Sequence, residues 1–71
     1  MILSELLPYI NPGEICRIEN TLDRSTIYEG EVKYISKEFM NSEVNDIGST
    51  FIASFEPNTL PIIGILISIY N

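Results

Sequence analysis

One uncharged stretch limits the chain more than any other: Leu60-Pro61-Ile62-Ile63-Gly64-Ile65-Leu66-Ile67-Ser68-Ile69-Tyr70. It is too short to cross a bilayer as a helix, which takes about 20 apolar residues. Its isoleucines are β-branched, and their stiff side chains suit a pleated sheet better than a helix. Pro61 stands at the start, where a strand tolerates the missing N–H. Alternation sends Ile63, Ile65, Ile67 and Ile69 to one face and Ile62, Gly64, Leu66, Ser68 and Tyr70 to the other. A strand apolar on both faces belongs in the middle of a sheet or under cover on both sides. Gly64 marks a bulge, a bend or the close approach of another backbone. The run is read as a buried core strand, with Ile62, Leu66 and Tyr70 as a self-association surface on its second face.

Size sharpens this. The chain of 71 residues makes one small domain, residues 1–71. Ordering each residue costs about 1–2 kcal/mol, while burying an Ile or Leu returns about 1.5–3 kcal/mol. Small domains often add disulfides, metals or oligomerisation. Cys16 is the single cysteine and there is no histidine. An intrachain disulfide and the usual Cys/His zinc sites are therefore excluded, and homo-oligomerisation is the expected route. A lone cysteine and no secretory pattern at residues 1–10 fit a reducing, cytoplasmic setting. Ten acids against four bases give a net charge of −6. That speaks against direct nucleic-acid binding and suits a solvated surface or a basic protein partner. No segment is expected to enter a membrane.

Taken in order, residues 1–10 carry Leu3, Leu6, Leu7 and Ile10 on one helical face. Ser4 is a candidate N-cap, and Pro8 confines the helix to its own first turns. Asn11-Pro12-Gly13 is a turn. Residues 14–20 form a first strand, 21–25 a polar hairpin loop, and 26–35 a second strand. That second strand sets Tyr28, Gly30, Val32 and Tyr34 against Glu29, Glu31 and Lys33. Residues 36–41 make one helical turn, with Phe39 and Met40 as core plugs. A third strand runs over 43–56, bent at Gly48, with Val44 and Ile47 buried. A turn at 56–59 joins it to the terminal run as a hairpin. The expected fold is mainly β (α+β): a small antiparallel, strongly coiled sheet or an SH3-like half-open barrel, with a short N-terminal helix and one helical turn.

The segment Tyr28-Glu29-Gly30-Glu31-Val32-Lys33-Tyr34-Ile35, then Asn41-Ser42-Glu43-Val44-Asn45-Asp46-Ile47, resembles a group of short bacteriophage and mobile-element proteins. These share a brief helix, a strand, a Y-x-G-x-V-x-x-I strand, a helical turn, an E-V-x-x-I element and an apolar terminal strand. The resemblance implies phage or prophage origin and a role in countering or redirecting a host protein. It carries over no catalytic residue.

The residues themselves offer little chemistry. No histidine base is available for a nucleophile, and Cys16 is read as a buried, inert thiol. Glu29 and Glu31 share a strand face, but carboxylates on an open face are usually solvated rather than catalytic or metal-binding. Gly13, Gly30, Gly48 and Gly64 are isolated and form no phosphate loop. No catalytic residue, metal site or cofactor is expected. The leading reading is a non-enzymatic interaction protein, oligomeric, that binds a host protein and inhibits a host defence system. One alternative is a binder of a small anionic ligand such as a nucleotide signal, using Arg17, Lys33, Tyr28 and Tyr34. Another is nucleic-acid mimicry by an acidic row of Glu29, Glu31, Glu38 and Glu43. The last is a structural part of a phage assembly.

Overall fold

The computed structural model describes residues 1–52 and 62–71. The expected turn at 56–59, the last residues of the third strand and Pro61 lie outside the described residues. The fold is mainly β, with one short N-terminal helix and three single 3-10 turns. Helix α1 covers Leu3–Leu6 and passes into a 3-10 turn at Leu7–Tyr9, where Pro8 needs no helical hydrogen bond. The N-cap is Ile2, not Ser4: the Glu5 carboxylate accepts the Ile2 N–H at 2.9 Å. Four strands follow, β1 (Ile15–Asn20), β2 (Thr26–Glu31), β3 (Glu43–Ile52) and β4 (Ile62–Tyr70).

The sheet order is β2-β1-β4-β3. β1–β2 and β3–β4 are antiparallel pairs, and the two pairs meet through a parallel β1–β4 contact. The sheet is therefore mixed and open rather than closed into a barrel. The isoleucine-rich β4 sits between two neighbours, as its two apolar faces demand. Parallel neighbours need a crossover. Here the chain leaves β2 at one edge and enters β3 at the other, so residues 32–42 must pass over one face. That segment and α1 form the cover.

Under the cover, Leu3, Leu6, Cys16, Ile18, Val32, Ile35, Ile67 and Ile69 make the buried core. Alternation explains the set: Cys16 pairs with Ile65, and Ile18 with Ile67, all on the covered face. β2 stops earlier than the alternation suggests. Val32–Tyr34 is a 3-10 turn, which drives Val32 into the core while Lys33 and Tyr34 turn outward. Just before it, Gly30 has a positive φ of 157°, and a side-chain carbon there would lie 2.8 Å from Tyr28 Oη. Tyr28 lies against this glycine and donates its hydroxyl to the Glu31 carbonyl at 2.6 Å. A bulge at Asn45 lets Val44 pair with Ile69 and Ile47 with Ile67, so both lie on the covered face three residues apart.

Candidate functional site

The cover is shorter than the sheet. β4 pairs with β1 only over residues 65–69, but with β3 along its whole length. Residues 50–52 and 62–64 thus lie past the end of the β1–β4 ladder as a two-stranded arm, which touches β1 at Ile15 and Arg17. Phe51 and Ile63 are directly opposite each other on it, each 71% exposed. Ile47, expected to be buried, is 46% exposed, because the cover reaches its partner Ile67 but not the outer strand. Phe51, Ile63 and Ile47 share the covered face by alternation. No ionisable side chain occurs in residues 47–52 or 62–69.

The arm's other face is tight. A side-chain carbon on Gly64 would collide with Ile52 Cδ1 and lie 2.8 Å from the Ile15 carbonyl oxygen. Gly64 thus answers to close backbone approach, one of the expected roles, and Ile52 is fully buried.

The outer edge of β3 is half covered. At its start Leu3 N–H donates to the Ser42 carbonyl at 2.9 Å and Val44 N–H to the Met1 carbonyl at 2.8 Å. Past Val44 no strand pairs with this edge among the described residues. The Ile47 N–H is held by Asp46 Oδ1 at 2.9 Å.

The residues singled out in the sequence are dispersed. Arg17 lies on the uncovered face, its Nε 2.7 Å from Glu29 Oε2 and its Nη2 3.4 Å from the Phe51 carbonyl. Lys33 meets Glu31 Oε2 at 3.0 Å and lies 5.2 Å from the Tyr34 ring centroid. Tyr28 packs against the core. Of Arg17, Lys33, Tyr28 and Tyr34, only Lys33 lines a cleft of about 380 Å³, otherwise formed by residues such as Leu7, Pro8, Ile10, Val32 and Met40. Glu29 and Glu31 belong to β2 and Glu43 to β3, so they occupy opposite edges of the sheet, while Glu38 sits on the 3-10 turn Lys37–Phe39. Glu29 and Glu31 are paired with bases, and Glu43 lies 3.7 Å from the N-terminal amine. Ile62, Leu66 and Tyr70 do line up on the uncovered face, each of Ile62 and Tyr70 44% exposed, with Tyr70 Oη donating to Asn45 Oδ1 at 2.9 Å.

Cys16 is fully buried, and desolvation pushes its thiol up to about 11. A thiol in that state is a poor nucleophile at neutral pH. Burial, helped by the charges of Cys16, Glu31 and Tyr34, also raises Tyr28. Among the described residues no group of three or more metal-ligating side chains gathers, and no helix is long and apolar enough to cross a membrane.

The exposed trio of Phe51, Ile63 and Ile47 was not singled out in the sequence. The signal for it was arithmetic: nine residues of β4 against a cover drawn from short segments. No family model, curated protein or solved structure matches the chain.

Proposed function

We propose that the protein is a non-enzymatic interaction module of the phage type, working as an oligomer, which binds a host protein and blocks a component of host defence. The docking face is the apolar arm. One observation carries this reading: Phe51 and Ile63 stand directly opposite each other, each 71% exposed, on a pair of strands without charge. Adjacent exposed apolar side chains tend to mark contact sites. Burying each in a partner is worth about 1.5–3 kcal/mol before the costs of association. The lack of charge on the arm supports the same reading, since charged residues are depleted at interface centres. Arg17 and Lys33 are each paired with a glutamate, and Glu29, Glu31, Glu38 and Glu43 are spread over both sheet edges and a 3-10 turn, so nothing comparable supports acidic mimicry or a converged anion site.

The test is capture from bacterial lysate by immobilised wild type and by the Phe51→Ser/Ile63→Ser double variant, with proteins identified by mass spectrometry. The expected result is a protein retained by the wild type and lost with the variant, whose circular dichroism is unchanged. Identical captures by both would overturn the reading.

A further inference from the structure

We infer that the open edge of β3 pairs with β3 of a second copy of this chain, antiparallel about a two-fold axis at Ser49, and that the apolar docking face is complete only in this dimer. The inference rests on the arm being a docking face and names what completes it.

Charge selects the edge. The molecule is strongly acidic, so most of its surfaces repel a second copy. The sheet has two edges. The β2 edge carries Glu29 and Glu31, the charged side chains that usually protect an edge from pairing. The β3 edge from Ile47 to Ile52 carries none. Pairing there brings no like charges directly together.

Register selects the axis. A two-fold at Ser49 sets Ile47 opposite Phe51 of the second copy, Gly48 opposite Thr50, and Asp46 opposite Ile52. Within one chain Phe51 already opposes Ile63, and Ile47 opposes Ile67. The pairing therefore creates an unbroken cross-strand row: Ile63 and Phe51 of one copy, then Ile47 and Ile67 of the other. The symmetry repeats it in the opposite direction. Directly opposed side chains lie about 4.5–5.5 Å apart, close enough to shield one another. Moving the axis to Gly48 would set Phe51 against Asn45 in the bulge and break the row.

The backbone agrees with this register. Val44 N–H donates outward to the Met1 carbonyl, and the extra residue of the Asn45 bulge brings the next edge-facing N–H to Ile47, where Asp46 Oδ1 accepts it at 2.9 Å. Counting by two along an extended strand, the Ser49 and Phe51 N–H groups face the same way. Ile47 of one copy then meets Phe51 of the other as a hydrogen-bonded pair, and Ser49 meets Ser49. Two side chains compete: the Asp46 carboxylate must leave the Ile47 N–H, and the Arg17 guanidinium, 3.4 Å from the Phe51 carbonyl, must release that oxygen before the second strand binds. The edge is therefore guarded, and the contact is small beside stable interfaces that bury roughly 1,200–2,000 Å². A weak, concentration-dependent dimer follows.

The test measures mass by sedimentation equilibrium from about 10 µM to about 1 mM, the range suited to a weak contact. Wild type should rise from 8.0 kDa towards twice that mass. Ser49→Glu and Ser49→Lys, which set like charges opposite each other at the axis, should each stay monomeric, and an equimolar mixture of the two should regain the dimer. Asp46→Ala should dimerise several-fold more tightly than wild type. A wild type that stays at 8.0 kDa throughout, or a Ser49→Glu variant that dimerises as wild type does, would overturn the inference. So would Ser49→Glu capturing host protein at the wild-type level. The two readings fail separately. A monomeric wild type whose Phe51→Ser/Ile63→Ser variant still loses capture removes the dimer and keeps the docking face. A normal dimer whose same variant captures as wild type removes the docking face and keeps the pairing.

Discussion

Replacing Gly64 by alanine adds one methyl group at the point where β1 meets the arm. That carbon would collide with Ile52 Cδ1 and lie 2.8 Å from the Ile15 carbonyl oxygen. The two obstacles differ. Ile52 can turn its side-chain end aside, although it is fully buried. The Ile15 oxygen belongs to the backbone of β1 and can move only by disturbing the parallel β1–β4 ladder. Overpacking of this kind costs about 1–3 kcal/mol, and a backbone obstacle belongs at the upper end. Alanine also stiffens the unfolded chain, which alone would stabilise by about 0.4–1 kcal/mol. The expected net loss is about 2 kcal/mol. A domain of this size has about 4–10 kcal/mol in total. With a urea slope near 1 kcal/mol/M, the unfolding midpoint should fall by about 2 M. Gly48→Ala is the control, because nothing lies within 4 Å of the added carbon and no left-handed φ is required. It should be neutral or raise stability by about 0.5 kcal/mol. A Gly64→Ala midpoint equal to or above that of wild type would refute the backbone-approach reasoning.

Ile67→Ala removes a fully buried side chain from the core, should cost about 2–5 kcal/mol, and should leave a large unfolded fraction by circular dichroism at 25 °C. Arg17→Ala breaks the part-buried pair with Glu29, whose side chains are 26% and 28% exposed; the loss should be about 1 kcal/mol, read as a lower urea midpoint. Cys16 should resist a disulfide reagent in the native protein at neutral pH and react fully in denaturant. Its folded pKa of about 11 lies above the ordinary 9.0, so the unfolded chain ionises first as pH rises. The stability held by the neutral thiol is complete below that ordinary value and is lost on climbing through about 11. Tyr28 is shifted in the same direction. Cys16→Ala should flatten part of the alkaline loss in urea midpoints measured at successive pH values.

The parts of the fold that alternate cleanly were legible. β4 declared itself by isoleucine, proline at its start and a charge-free run, and its central place followed from having no polar face. β1 and the start of β2 were legible for the same reason. The end of β2 was not, because Tyr28, Val32 and Tyr34 continue a two-residue period through a segment that turns as a 3-10 helix. Period cannot separate the two when the strand's last apolar residue is also the core plug. The parallel β1–β4 contact was also invisible. Hairpin connectivity suggested antiparallel pairing throughout, and β1–β2 and β3–β4 are antiparallel, but how one pair meets the other depends on long-range packing. The candidate site suffered most. Arg17 and Lys33 looked like neighbours on adjacent strands, yet each is taken up by a nearby glutamate. Ile47 and Ile63 looked like core, because alternation assigns a face without saying how far the cover extends along it.

That limit explains why the arm calls for a functional account. Strands rise about 3.3 Å per residue, so β4 is about 30 Å long, while the stretch that β1 shares with it is about half of that. Nothing in the packing of Leu3, Ile18, Ile67 and Ile69 requires β3 and β4 to run on past β1. A hairpin closed near Ile65 would enclose the same core. The extension buries Ile52 on one face, but on the other it leaves Phe51 and Ile63 in water. Polar residues at 47, 51 and 63 would keep the alternation and the ladder while removing the exposed surface. The presence there of isoleucine and phenylalanine, on two strand segments that carry no ionisable side chain, fits a surface that is covered when the protein works.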